Sequence, residues 1–260
     1  MHLSKRAAAF LAQQQWRADA VRDPAVVARA FTRLGLQPSP ALLDFQLTYG
    51  GLMLYAGLEP ICFGLLHGKL ARGDFSPPHK ADTLIHEPPD EDRSHHLFAC
   101  ADTLYQMDFH LDEQGRYYEN WQLHANSFDA IIEDKAVWAE LRAQPYERVY
   151  FGYFEEGAIP VAALAEAFQV APYPDLPPDL IYWGRNEQLV VRRSADKLMV
   201  FSLTEPADDV AARGEQLLAT YTNAPSMRER TQATQQQAQQ WATERAVRPW
   251  WQRLGAWLMR

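Results

Sequence analysis

The sequence predicts an α+β protein. Of the 260 residues, 47% are hydrophobic and 22% are charged, which is an ordinary globular composition. Helical apolar patterns fill the first fifty residues, and short apolar runs separated by turn residues follow them. Helical and strand patterns are therefore segregated along the chain, as is typical of α+β folds.

Three helices are predicted in the first fifty residues. Asp23-Pro24 and Ser39-Pro40 each combine an N-capping side chain with a proline suited to the first helical turn, so each begins a helix. Gly35 and Gly50-Gly51 end these two helices. An apolar stripe marks the earliest helix, formed by Leu3, Ala7, Phe10 and Leu11.

Strands and turns dominate the middle of the chain. The sequence 112–115 is a turn that ends in glycine, and Asn126 or Ser127 begins another helix. Four prolines between residues 171 and 179 mark the best internal boundary. The predicted strands are 52–55, 61–66, 96–101, 104–111, 116–121, 180–183, 189–193 and 198–203, with short helices at 159–168 and 208–221.

We therefore divide the chain into three parts. Residues 1–170 form an α+β domain, residues 171–225 form a smaller β-meander plus helix extension, and residues 226–260 form a helical tail. The tail carries six arginines and two glutamates, whereas the remaining chain has 19 basic and 31 acidic side chains, a net charge of −12. This acidic body repels phosphate backbones, which argues against nucleic-acid binding, and it attracts a basic protein.

The two cysteines, Cys62 and Cys100, are expected to be reduced, as in a cytoplasmic protein. The apolar run over residues 7–12 is shorter than the core of a secretory signal. No stretch approaches the roughly 18 apolar residues that span a bilayer. We expect a cytoplasmic protein that needs no cofactor.

One cluster contains residue types that bind metals: His86, His95, His96 and Cys100. Their spacing matches no zinc pattern, and adjacent residues of a strand point to opposite faces. A polar loop leading into a strand is the favoured interpretation, and a metal-dependent enzyme is kept as an alternative. Nucleophile and phosphate-binding motifs are absent from the sequence, so no catalytic residue is assigned.

Acidic side chains occur in turn-like segments, where they should stay ionised. They form either solvated loops or a docking face for a basic protein. The candidate face consists of Asp90, Glu91, Asp92, Asp112, Glu113, Glu155 and Glu156.

The last helix of the tail is basic and rich in tryptophan. Such a helix can pack on its own protein, dock on a partner, or make weak contact with a membrane surface. The candidate docking residues are Trp250, Trp251, Leu254, Trp257 and Leu258.

Two blocks of the sequence resemble the SUKH superfamily, which includes bacterial immunity proteins and yeast cell-wall-synthesis regulators. In the segment 38–51, PSPALLDFQLTYGG, a proline-led helix precedes a Tyr-Gly-Gly ending. In the segment 97–141, a turn with Gly115 precedes an aromatic strand and a helix that begins Ser127-Phe128. The similarity covers about residues 20–145. The matched positions in the first block are Leu42, Phe45, Tyr49, Gly50 and Gly51.

This resemblance implies an α+β domain, with helices packed on one face of a mostly antiparallel sheet. It also implies a protein that binds another protein and catalyses no reaction. Many members of the superfamily neutralise a toxin by binding it. For this acidic chain, the expected partner is a basic toxin, such as a nuclease. The alternative is a scaffold or regulatory protein that docks through its tryptophan-rich tail.

Overall fold

The computed structural model describes residues 3–55, 60–66, 84–91, 93–103, 107–155, 158–176 and 179–222, together with 236, 237 and 239. Within these residues, helices and three mostly antiparallel sheets are present, so the predicted α+β class is confirmed. The helices are α1 Lys5–Ala12, α2 Pro24–Arg33, α3 Pro40–Tyr49, α4 Phe128–Arg142, α5 Val161–Phe168 and α6 Ala207–Tyr221.

The strands are short and belong to three sheets with the orders β1-β2-β3-β6, β4-β5-β7-β8-β9 and β10-β14-β13-β12-β11. Their bounds are β1 Gln15–Trp16, β2 Leu52–Tyr55, β3 Pro60–Phe63, β4 His86–Glu87, β5 Leu97–Ala99, β6 Ala101–Asp102, β7 Phe109–Asp112, β8 Tyr117–Glu119, β9 Gln122–Ala125, β10 Glu147–Tyr153, β11 Ala171–Pro172, β12 Tyr182–Arg185, β13 Leu189–Arg193 and β14 Lys197–Ser202.

The chain forms two compact units whose limits differ from the predicted division. Unit 1 contains Met1–Tyr146 and Pro172–Trp183, and unit 2 contains Glu147–Ala171 and Gly184–Arg260. The difference arises because strand β10, which the sequence analysis left unassigned, pairs along its length with β14. This pairing places the segment before the prolines with the meander that follows them.

Capping side chains determine where the helices of unit 1 begin. Asp23 accepts a hydrogen bond from the amide of Ala25, and Ser39 accepts one from the amide of Leu42. Ser127, one of the two predicted caps, accepts from the amide of Ala130. Each such cap stabilises its helix by about 1 kcal/mol.

An aromatic cluster forms the centre of unit 1. The ring of Phe128 lies 4.9 Å from Phe45, 4.8 Å from Tyr49 and 4.8 Å from Phe63, measured between ring centroids. Tyr117 adds a fourth ring at 5.6 Å. The cluster joins helices α3 and α4 to both sheets of unit 1, and edge-to-face contacts of this kind stabilise a core beyond the area that they bury.

The residues that resemble the SUKH motif are part of this core. Gly51 has a φ of +87°, and a Cβ built on it would lie 2.5 Å from the Cβ of Ala20. A Cβ on Gly50 would meet the carbonyl oxygen of Gln46 at 2.4 Å. Both glycines are therefore required by close packing, and Tyr49, which is 3% exposed, is buried beside them.

The proline-rich segment after residue 171 packs within unit 1. The guanidinium of Arg6 lies 5.0 Å from the centroid of the Tyr173 ring and donates to the carbonyl oxygen of Pro174. The indole nitrogen of Trp183 donates to the buried carboxylate of Asp134 at 2.9 Å. These contacts make the segment a structural part of unit 1, although its prolines resemble a linker.

Strands β13 and β14 and helix α6 lie in unit 2. Strands β13 and β14 pair in antiparallel register from Leu189 opposite Ser202 to Arg193 opposite Leu198. Helix α6 packs on β10 through a glycine, because the Tyr150 ring of β10 lies against Gly214. A Cβ on Gly214 would lie 2.5 Å from Cε1 of that ring.

Replacing Gly214 with alanine should lower the free energy of unfolding of unit 2 by about 2 kcal/mol, because the new methyl group overpacks the Tyr150 ring. In a Tyr150→Ala background, the same replacement should be neutral or stabilise by about 1 kcal/mol, since alanine favours a helix. Urea denaturation of the four proteins measures this coupling. An equal cost in both backgrounds would contradict the packing explanation.

Candidate functional site

Asp112, one of the predicted acidic-face residues, lies in the interior of unit 1. The residue is 0% exposed. Oδ1 accepts the amides of Gln114 and Arg116, each at 2.9 Å. Oδ2 accepts Nε of Arg116 at 2.5 Å and the hydroxyl of Tyr118 at 3.1 Å. Because the turn and its neighbours enclose this carboxylate, Asp112 does not belong to an exposed acidic face, and that assignment is corrected.

Three of the predicted acidic residues surround the hairpin formed by β4 and β5. Asp90 and Glu91 lie exposed in the connection between these strands, and Oε1 of Glu113 accepts the backbone amide of His96 at 2.9 Å. Glu87, in β4 itself, adds a carboxylate that the sequence analysis did not select. We call Glu87, Asp90, Glu91 and Glu113 the acidic edge.

The other predicted binding residues lie in unit 2 or outside the described residues. Glu155 is exposed in unit 2. The remaining candidates lie outside the described residues: Asp92, Glu156, Trp250, Trp251, Leu254, Trp257 and Leu258.

Beside the acidic edge, Trp121 stands at the tip of the hairpin formed by β8 and β9. Its side chain is 46% exposed, the largest value among the big apolar side chains of the described residues. Asn120 and Trp121 have φ values of +47° and +71°. They form a two-residue turn of the kind that favours Asn and Gly, so a tryptophan there adds backbone strain of about 1 kcal/mol. Exposed, strained residues often have a functional role.

Arg93 links Trp121 to the acidic edge. Its guanidinium carbon lies 5.5 Å from the Trp121 ring centroid, within the range of a cation–π contact. The same group lies 3.7 Å from Glu87 Oε2 and 3.2 Å from Asp90 Oδ2. It also donates to the carbonyl oxygen of Pro88 at 2.9 Å. Arg93 thereby holds the indole and two carboxylates in one arrangement.

His110 supports Trp121 from the sheet. Its ring centroid lies 4.6 Å from that of Trp121, and its Nε2 lies 3.9 Å from Glu87 Oε1. His110 is 4% exposed, and burial lowers its pKa, so the imidazole is neutral at pH 7. The exposed indole is thus held in place by a packed, uncharged ring. We call Trp121 with Arg93 and His110 the Trp121 platform.

Two of the predicted metal-ligand candidates contact each other directly. Nε2 of His86 and Nδ1 of His96 are 2.6 Å apart. His95 takes no part in this contact. Its ring centroid lies 5.4 Å from that of Tyr118. Cys100 is fully buried, and burial raises its pKa. Among the described residues, no group of three or more His, Cys, Asp or Glu side chains is arranged to hold a metal ion.

A cleft of about 430 Å³ lies in unit 1, lined by Trp16, Arg17, Ala18, Ala20 and Arg22. Its two arginines have internal partners, because Arg17 binds Asp19 and Arg22 donates to the carbonyl oxygen of Gly50. Ala20 and Arg17, which line the cleft, are also the residues nearest to Gly51, so the cleft borders the Tyr-Gly-Gly segment. In the part of the chain that the structure describes, no helix is both long and apolar enough to cross a bilayer.

Comparison with known proteins returns no match: no family model, no curated protein and no solved structure corresponds to this chain. The resemblance to the SUKH superfamily therefore remains a prediction from the two sequence blocks.

Proposed function

We propose that this chain is a non-enzymatic immunity protein that binds a basic protein toxin and covers its active site. The observation that carries the proposal is the Trp121 platform bordered by the acidic edge. Interfaces of high affinity commonly combine a well-packed aromatic residue with a polar rim, and tryptophan is enriched among the residues that dominate binding energy.

The distribution of charge supports a basic partner. Arg93 pairs with two carboxylates of the acidic edge, Glu87 and Asp90. Exposed Asp108 adds another carboxylate next to the β8–β9 turn. The chain before residue 226 carries a net charge of −12. Such a field accelerates encounter with a cationic surface and weakens as salt screens it.

The proposed function is tested by co-expressing the protein with the product of the adjacent gene. We expect the two proteins to copurify and the cells to survive a toxin that otherwise stops growth. The association rate should fall at least about tenfold between low and high salt. Failure to copurify, together with no effect on survival, would refute the immunity role.

Replacing Trp121 with alanine should weaken binding of that partner by about 30-fold, equivalent to about 2 kcal/mol. Trp16→Ala provides a matched control, because Trp16 is also exposed, at 37%, and also lies under an arginine, Arg22. Trp16 belongs to β1 in the other sheet of unit 1. Calorimetric titration compares the variants, and equal losses for both would argue against the Trp121 platform.

A further inference from the structure

The pair formed by His86 and His96 has an unusual protonation requirement. Their facing nitrogens are 2.6 Å apart, whereas their ring centroids are 4.8 Å apart. The two nitrogens therefore point at each other, and one must donate a proton that the other accepts. One proton between the rings satisfies this contact, and a second proton on the inner edges would place two donors face to face.

The surroundings of the pair are mixed in charge. Glu113 is the nearest carboxylate, with Oε1 3.9 Å from Nε2 of His96. Arg93 is the nearby cation that opposes a charge on His86. Phe98 of β5 covers the pair from within the sheet, with its centroid 5.1 Å from that of His86, and the Phe31 ring of α2 lies against Phe98.

Burial and the neighbouring His96 lower the pKa of His86. This lowering agrees with the geometry of the pair. The nitrogen that accepts the shared hydrogen bond cannot gain a proton without breaking that bond. An unfolded chain binds that proton near the ordinary histidine pKa of about 6.5. The contact is therefore fully stabilising above this pH and loses stability as the pH falls below it.

The pair fixes the strand that carries much of the acidic edge. His86 begins β4, which has only two residues and lies at the border of its sheet, where it pairs with Phe98 and Leu97 of β5. Glu87 follows in the same strand, and Asp90 and Glu91 follow in its connection to β5. Opening the histidine contact therefore loosens the segment on which three of the four carboxylates lie.

We propose that the His86–His96 pair is a pH-sensitive latch, which holds the β4–β5 hairpin closed near neutral pH and releases it when the second imidazole is protonated. Release would move the carboxylates of the acidic edge apart and leave the two protonated imidazoles of the pair beside them. The predicted consequence is loss of a basic partner at acidic pH. That consequence rests on the proposed function, whereas the opening of the hairpin is a property of the free protein.

Hydrogen exchange of the free, full-length protein between about pH 8 and about pH 5 tests the latch. The amide of Ala99, which donates to the carbonyl oxygen of Ile85, reports on the hairpin. After correction for the intrinsic exchange rate, its protection should fall about tenfold per pH unit below the transition, because opening takes up one proton. The amide of Asp112, which donates to the carbonyl oxygen of Arg116 in the β7–β8 hairpin of the same sheet, should not follow this slope.

Two substitutions separate the latch from a general loss of stability. His86→Phe keeps a ring beside Phe98 but cannot titrate, so the slope at Ala99 should disappear. His124→Phe is the matched control, because His124 lies in β9 of the same sheet, apart from the pair, and its loss should leave the slope unchanged. A slope that persists in His86→Phe, or is absent from the unmodified protein, overturns the proposal.

Glu113→Gln provides a test that retains the histidines. Glutamine keeps an oxygen acceptor for the amide of His96 but removes the charge that raises the pKa of His86, so the opening should move to lower pH. An opening that moves to higher pH contradicts the latch. If the hairpin opens as expected but partner binding is unchanged at acidic pH, the proposed binding face is wrong and the latch stands.

Discussion

Replacing Gln46 with leucine is expected to lower the free energy of unfolding by about 4 kcal/mol. Gln46 is 0% exposed, and its amide group makes four hydrogen bonds. Nε2 donates to the carbonyl oxygens of Val21 at 2.7 Å and Leu66 at 3.1 Å. Oε1 accepts the amides of Leu65 at 2.6 Å and Leu66 at 3.2 Å. The amide thus links α3 to two loops.

Leucine fills nearly the same volume as glutamine but leaves four backbone groups without these bonds, three of which are buried, and each such loss is costly. Thr48→Leu is the control, because Thr48 is exposed on the same helix and its replacement should change stability by less than about 0.5 kcal/mol. Guanidinium denaturation measures both variants. A cost for Gln46→Leu no larger than that of the control would show that the amide contributes little.

Replacing Asp112 with alanine should lower the free energy of unfolding by about 3 kcal/mol. The replacement removes the acceptor for the amides of Gln114 and Arg116 and for the hydroxyl of Tyr118. It also leaves the Arg116 guanidinium without its carboxylate partner. The reverse turn between β7 and β8 depends on these bonds.

Asp108→Ala provides the comparison for this second variant, because Asp108 is an exposed carboxylate just before the same strand. It should change the unfolding free energy by less than about 0.5 kcal/mol. Chemical denaturation at neutral pH measures both proteins. A loss of unfolding free energy for Asp112→Ala as small as that for Asp108→Ala would contradict the placement of Asp112 in the interior of unit 1.

Local signals predicted the helices well because their ends depend on nearby side chains. Asp23, Ser39 and Ser127 each cap a helix through a backbone amide two or three residues away. Strand β10, in contrast, was not predicted, since its antiparallel partner β14 lies more than forty residues later. The limits of the two units depend on this distant pairing, so composition and proline content alone did not locate them.

The binding site was predicted only in part for the same reason. A strand was expected over residues 116–121, but β8 ends at Glu119 and the chain turns at Asn120 and Trp121. Asn120 is the single local signal for that turn. The burial of Asp112 depends on Tyr118 across the sheet, and the contact of His86 with His96 depends on the register of β4 against β5. The spacing of these residues along the sequence predicted neither the burial of Asp112 nor the contact between His86 and His96.

The interleaving of the two units has a consequence for biosynthesis. The chain passes from one unit to the other three times, after residues 146, 171 and 183. As the nascent chain leaves the ribosome, β10 emerges well before β14, and Asp134 emerges long before the indole of Trp183. Neither unit is complete as a contiguous fragment, and a polypeptide released after residue 171 would expose β10 as an unpaired, aggregation-prone strand.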